Sequence, residues 1–291
     1  MPSIVRLLRP KQWVKNFFVF GALLFSRQIF SGVGVVQAIE AFFAFCFLSS
    51  AVYILNDILD RESDANHPQK KHRPIASGKI SVSNALLICL VCLVIAAALA
   101  SGLDYKVWIA LAAYALINIG YSLSWKHVVL LDVFCIASGF MLRVMAGAWA
   151  INVEVSQWLI LCTLFLSLLL AAGKRRSELR LKQENTGGKT RAVLDNYTVL
   201  ITDQITTITA AGVVISYALY TVSDRTVKMF GTENLIYTTI FVLYGVFRYL
   251  YIEHKERAGE NPTDVATSDI PMIVNILLWV SVTAVIIYAK I

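Results

Sequence analysis

Apolar residues in this chain come in long unbroken runs, with polar residues confined to the stretches between them. The runs cover residues 14–31, 35–56, 83–103, 107–125, 128–150, 155–173, 198–222, 234–252 and 272–290. Each is close to the roughly 20 residues that a helix needs to cross a bilayer. None alternates as a strand would, and a helix satisfies its own backbone groups inside lipid. The pattern predicts an all-α membrane protein with nine transmembrane helices, forming one polytopic domain over residues 1–291. The first run lacks a small-residue cleavage site and is followed by further spans, so it reads as a span and not as a leader.

Composition agrees, with 57% hydrophobic and 15% charged residues and a mean hydropathy of +0.66. Basic residues crowd the connections on one side of the membrane: Arg6 to Lys15, Arg61 to Lys79, Lys126, Lys174 to Arg191, and Lys255 with Arg257. The other side holds only Arg27, Lys106, Arg225, Lys228 and Lys290. The positive-inside rule then puts the N-terminus and the long charged loops in the cytoplasm. The net charge of +7 follows from topology and from phosphate binding, and nucleic acid is not an expected partner. Cys46, Cys89, Cys92, Cys135 and Cys162 all fall inside apolar runs, where a thiol packs as a small hydrophobe.

The densest chemistry follows the second run. Asn56, Asp57, Asp60 and Asp64 are succeeded by His67, Lys70, Lys71, His72 and Arg73. Asp57, Asp60 and Asp64 are spaced i, i+3, i+7, and Asn56, Asp60 and Asp64 i, i+4, i+8, so a continuing helix gathers their oxygens on one face. Magnesium takes such hard oxygen ligands and completes its shell with water and phosphate oxygens. Neighbouring lysines and arginines neutralise the phosphate charge that remains. A solvated loop of internally paired charges is the alternative.

A second charged loop, Lys174-Arg175-Arg176-Ser177-Glu178 onward through Arg191, follows the sixth run. The two long charged loops, four spans apart, suggest two pseudo-equivalent halves. Asn185 to Thr190 looks like a P-loop but has Gln183 where the motif needs glycine, and no strand precedes it. Asp132 and Arg143 lie eleven residues apart in one run, about three helical turns, so both can face one side. At membrane depth Arg143 needs a partner, either a carboxylate such as Asp203 or a bound phosphate. Tyr53, one turn before Asn56, is a phosphate donor or an interfacial anchor. The segment Arg9-Pro10-Lys11-Gln12-Trp13-Val14-Lys15-Asn16 combines base and aromatic, as a membrane anchor or as the source of a lysine for the metal motif. All six prolines avoid the span centres, which argues against the broken helices of a transporter.

The motif Asn56-Asp57-x-x-Asp60-x-x-x-Asp64 resembles the first signature of the UbiA superfamily of intramembrane prenyltransferases. The resemblance implies nine helices around a central cavity that opens to the cytoplasm. Aromatic prenyltransferases of that superfamily carry a second acidic D-x-x-x-D pair after the sixth span, where this chain has Lys174 to Glu178. The usual Y-x-x-x-K element is altered too, with Tyr121 and Lys126 five apart. These departures, with Arg9 to Asn16, His67 to Gly78 and Lys174-Arg175-x-x-Glu178, are similar to the branch of decaprenyl-phosphate phosphoribosyltransferases.

That resemblance implies a magnesium-dependent transfer of 5-phosphoribosyl from phosphoribosyl pyrophosphate to polyprenyl phosphate, in a bacterial cytoplasmic membrane, for cell-envelope glycoconjugates. Asn56 and Asp60 are expected to hold Mg2+, and Asp57, Asp60 and Asp64 to form the catalytic acidic set. Lys15, Tyr53, Lys70, Lys126, Arg143, Lys174 and Arg191 are the expected donor contacts, and Lys70, Lys71 and Arg73 the expected lipid-phosphate contacts. An aromatic or haem prenyltransferase using a prenyl diphosphate donor is the runner-up. The oligomeric state stays open, a homo-oligomer such as a trimer included.

Overall fold

Ser31, Ser81 and Thr198 stand just ahead of apolar runs, and each side-chain oxygen accepts from a first-turn N–H: Gly34 at 3.3 Å, Asn84 at 3.2 Å and Ile201 at 3.2 Å. These caps fix where three long helices begin, since the first turn of a helix has no carbonyl partners for its N–H groups. The computed structural model describes residues 3–26, 28, 31–66, 70–183, 192–255 and 268–289.

In chain order the α-helices are α1 (Ser3–Leu8), α2 (Gly21–Leu24), α3 (Gly32–Leu59), α4 (Arg61–Ala65), α5 (Val82–Ala100), α6 (Tyr105–Leu123), α7 (Leu131–Ala150), α8 (Gln157–Gln183), α9 (Val199–Val222), α10 (Asp224–Phe230), α11 (Thr239–Lys255) and α12 (Ile270–Ala289). Short 3-10 segments join several of them. Among the described residues the secondary structure is helical throughout, and eight helical stretches are long and apolar enough to cross a membrane.

The first apolar run differs from its expectation of a transmembrane α-helix. A 3-10 segment, Pro10–Phe20, is followed by the four residues of α2. At a rise of about 2.0 Å per residue, eleven 3-10 residues reach as far as about 15 α-helical ones. The thinner segment is held by close packing: a Cβ on Gly147 of α7 would lie 1.9 Å from the Val19 carbonyl oxygen. Helix α8 departs in the other direction, running ten residues past the predicted end at 173, because its last turns carry arginines that find carboxylates and carbonyls inside the protein.

The chain forms two compact units, one of Met1–Val128 with Ser138–Glu154, the other of Val129–Ala137 with Val155–Ile291. In the first, α3 packs on α5, α6 and the 3-10 segment. The α3–α5 contact uses small residues, Ala51, Ala85, Cys89 and Cys92, which let two membrane helices approach closely. In the second, α8 packs along α9, with the Phe165 ring seated on Gly212, where a Cβ would come within 2.6 Å. Hydroxyls of Thr163, Ser167, Thr206, Thr209 and Ser216 each donate to the carbonyl four residues back, so these polar groups sit in an apolar interface without an unmet donor.

Candidate active site

Helix α3 ends at the acidic motif. Asp60 N–H donates to Asn56 O at 2.9 Å and Asp64 N–H to Asp60 O at 2.8 Å, so helical spacing carries through the bend at Asp60 into α4. The expected single face divides into two. Asp57 and Asp64, seven residues apart, are both buried and both accept from Arg73 Nη1, at 3.0 and 2.6 Å. Asp57 also accepts from Arg9 Nη2 at 2.5 Å. Asn56 and Asp60 turn toward the end of α6, where Ser122 Oγ meets Asn56 Oδ1 at 2.5 Å and Lys126 Nζ lies 3.6 Å from Asp60 Oδ1. The Asp60 side chain is 44% exposed against 2% for Asp57.

Each cation arrives on a built support. Arg73 follows the 3-10 turn Lys70–His72, its N–H bonded to Lys70 O and its carbonyl to Ser77 N–H, while Ile75 and Ile80 anchor this loop in the core. Gly78 takes φ 72° there, which glycine adopts without a Cβ clash. Lys126 sits in the 3-10 turn Trp125–His127. That turn folds back because Gly120 leaves room for the Trp125 ring, which a Cβ would meet at 2.9 Å. Arg9 has φ 52° and ψ 56°, a left-handed conformation that is costly for a residue with a side chain. Its guanidinium also lies 5.0 Å from the Tyr53 ring centroid, within cation–π range.

These donors are of the hard oxygen kind that a divalent cation such as magnesium takes. Asn56 and Asp60 offer an amide and a partly exposed carboxylate oxygen, leaving positions for water and phosphate. Asp57 and Asp64 already have guanidinium partners. Among the described residues, no group of three or more His, Cys, Asp or Glu side chains forms a protein-only cage.

Arg143 has a different setting from the one its position suggested. It is 5% exposed and donates to Asn16 Oδ1 at 2.6 Å, Gly139 O at 2.7 Å and Tyr114 OH at 3.1 Å. The rings of Tyr114, Phe140 and Phe45 surround its guanidinium at 4.6 to 5.7 Å. Asp203, one of the two kinds of partner its depth allowed, accepts from Arg176, and Asp132 belongs with the second unit.

In that second unit the basic run after the sixth predicted span divides as well. Arg175 and Arg176 are buried. Arg175 bonds Asp132 at 2.5 Å and Glu178 at 2.6 Å. Tyr197 OH donates to Asp132 at 2.8 Å and accepts from the Leu130 N–H at 2.8 Å. Burial, reinforced by the adjacent Asp132 carboxylate, pushes the Tyr197 phenol well above its usual range. Arg176 and Arg180 donate to Glu253 O, capping a last carbonyl of α11. Lys174 is half-buried on α8.

Of the expected site residues, the structure therefore brings together Asn56, Asp57, Asp60, Asp64, Arg73 and Lys126, with Tyr53 reached through Arg9. Lys70 and Lys71 are exposed on the adjoining turn, and Lys15 is half-buried on the 3-10 segment. Arg191 lies outside the described residues. Arg9 and Ser122 join the motif from remote segments. The segment at residues 9–16 was expected to supply a lysine and supplies Arg9 instead; no sequence signal marked Ser122.

Residues 16–263 match the sequence model of the UbiA prenyltransferase family. A decaprenyl-phosphate phosphoribosyltransferase of Corynebacterium glutamicum is 39% identical, over 75% of this chain and 67% of that protein. The enzyme of the same name from Mycolicibacterium smegmatis is 33% identical, over 98% of this chain and 92% of that protein. The structure of a UbiA homolog from Archaeoglobus fulgidus bound to GPP and Mg2+ aligns with a TM-score of 0.73 at 22% identity, covering 98% of this chain and 99% of that one.

Proposed function

The chain belongs to the UbiA prenyltransferase family, and from that premise we propose that it is a magnesium-dependent phosphoribosyltransferase. It moves 5-phosphoribosyl from phosphoribosyl pyrophosphate to polyprenyl phosphate, releasing diphosphate. The names of the two bacterial relatives support this choice within the family. The observation that carries it is the division of the basic and acidic groups. One half-buried carboxylate-amide pair, Asp60 with Asn56, stands beside Lys126. After the sixth predicted span, the residues standing where prenyl-diphosphate enzymes carry a second acidic pair are Lys174 and Glu178, the latter bonded to Arg175.

Asn56 and Asp60 would hold the magnesium, which supplies electrophilic neutralisation of the diphosphate leaving group. Lys126 places a further cation against the same phosphate oxygens. Arg9 and Arg73 hold Asp57 and Asp64, which keeps two buried carboxylates from repelling the incoming diphosphate. Lys70 and Lys71, exposed beside Arg73, suit the lipid phosphate, and Lys174 keeps the role of a donor-phosphate cation. Arg143, enclosed by protein oxygens and rings, has a structural part. A phosphate monoester with a second pKa near about 6 is largely ionised at neutral pH, so the acceptor attacks C1 of the ribose without a strong general base. The charge bias supports an active face turned toward the cytoplasm, and the bacterial relatives support a bacterial inner membrane.

The test is purified protein with magnesium and decaprenyl phosphate, given ribose-labelled phosphoribosyl pyrophosphate. Label entering the lipid phase is the expected result. Label confined to the aqueous phase, with prenylation of 4-hydroxybenzoate from a prenyl diphosphate, overturns the reading in favour of an aromatic prenyltransferase.

A further inference from the structure

Ser122 has one hydroxyl proton and two close oxygen neighbours: the carbonyl of Asn118, one turn back on α6, at 2.8 Å, and Oδ1 of Asn56 at 2.5 Å. Only one of them can receive that proton. The Asn118 carbonyl has nothing to give in return, whereas the Asn56 side chain carries an NH2 group of nearly the same size at its other end. Exchanging the two ends of that amide keeps the packing and converts two competing acceptors into a directed chain. In that chain Asn56 Nδ2 donates to Ser122 Oγ, and Ser122 Oγ donates to Asn118 O.

We propose that Ser122 is the positioning residue of the metal site, fixing the Asn56 amide so that its carbonyl oxygen is turned away from α6 and committed to the cation. This rests on the reading of Asn56 and Asp60 as the magnesium ligands. A ligand oxygen on a freely rotating amide spends part of its time replaced by an NH2 group that repels a cation. A partner that accepts only from the NH2 end removes this alternative, and outer partners of this kind typically govern metal affinity by about 10- to 100-fold. The end of α6 is itself well fixed: the Trp125 ring closes on Gly120, and Ser124 N–H bonds the Gly120 carbonyl at 3.0 Å. Nothing in the sequence separates Ser122 from Ser124, and only the first meets the motif.

The experiment is equilibrium dialysis of Mn2+ with inorganic diphosphate against the full chain in detergent, bound metal being counted directly. Ser122→Ala is expected to weaken Mn2+ binding about tenfold, and Ser122→Thr, which keeps the hydroxyl, to bind as wild type does. In an Asn56→Asp background both ends of the side chain are oxygens, so adding Ser122→Ala is expected to change nothing further. Equal binding by Ser122→Ala and wild type overturns the inference, as does an equal loss in the two backgrounds, which marks general packing damage. Failure of the underlying reading looks different: wild type binds no Mn2+, or Asp60→Asn binds as wild type does.

Discussion

Arg175 and Asp132 meet at 2.5 Å with neither side chain exposed. The carboxylate is shared with Tyr197, which in turn holds the Leu130 N–H, and Leu130 has a φ of 66°. A cation that reads in the sequence as part of a surface cluster is thus an internal strut, binding α8 to the start of α7 and to Tyr197 just ahead of α9.

Removing one partner of such a pair leaves a buried charge without compensation, which costs about 3–5 kcal/mol. Asp132→Ala is expected to lower stability by that order, read as an earlier unfolding midpoint in detergent. Tyr197→Phe, which deletes one hydroxyl, is expected to cost about 1 kcal/mol. Equal midpoints for Asp132→Ala and wild type would show that the strut bears no weight.

Lys174 is half-buried on α8 beside the inward-turned Arg175 and Arg176, and it is the residue of this run proposed for the donor phosphate. Lys174→Ala is expected to raise the KM for phosphoribosyl pyrophosphate at least about tenfold, the loss of one charge-assisted contact, with little change for polyprenyl phosphate. Loss of lipid affinity alone would exchange the two phosphate roles.

Arg143 donates to Asn16, Tyr114 and Gly139. Asn16→Ala and Arg143→Gln are expected to lower stability together, by about 1–3 kcal/mol for each polar group left unmet, while the surviving enzyme keeps its KM for both substrates. A raised donor KM in Arg143→Gln at unchanged stability would return Arg143 to the substrate.

Topology gives an independent check. In intact cells a membrane-impermeant thiol reagent is expected to label Lys228→Cys and to miss Lys70→Cys until the membrane is opened, both positions being exposed. The native cysteines are buried or nearly so. The reverse pattern would invert the orientation.

Much of this was legible along the chain because lipid imposes a simple code. Long apolar runs became α3, α5 to α9, α11 and α12, with α8 alone running well past its predicted end, and helical spacing already brought Asn56, Asp57, Asp60 and Asp64 together, though on one face and not two. What spacing does not contain is which side of the motif meets which neighbour. The Arg73 bridge, the Arg9 contact and the Ser122 contact depend on loops and helices 9 to 66 residues away. Depth allowed Arg143 either a carboxylate such as Asp203 or a bound phosphate, yet Arg143 donates to neutral oxygens of its own unit and Asp203 is bonded to Arg176. The 3-10 form of residues 10–20 was also hidden, since it follows from Gly147 and Asn16 packing rather than from apolar content.

The division of the acidic motif is the centre of this account, and the magnesium dependence of phosphoribosyl transfer in Asp60→Asn and Asp64→Asn tests it most directly, with unfolding midpoints measured alongside. Asp60→Asn is expected to need at least about tenfold more magnesium for half-maximal activity while its midpoint stays at the wild-type value. Asp64→Asn, which removes a partner from Arg73, is predicted to unfold earlier and to keep the wild-type magnesium requirement. An Asp64→Asn enzyme that is as stable as wild type and as demanding of magnesium as Asp60→Asn would contradict it.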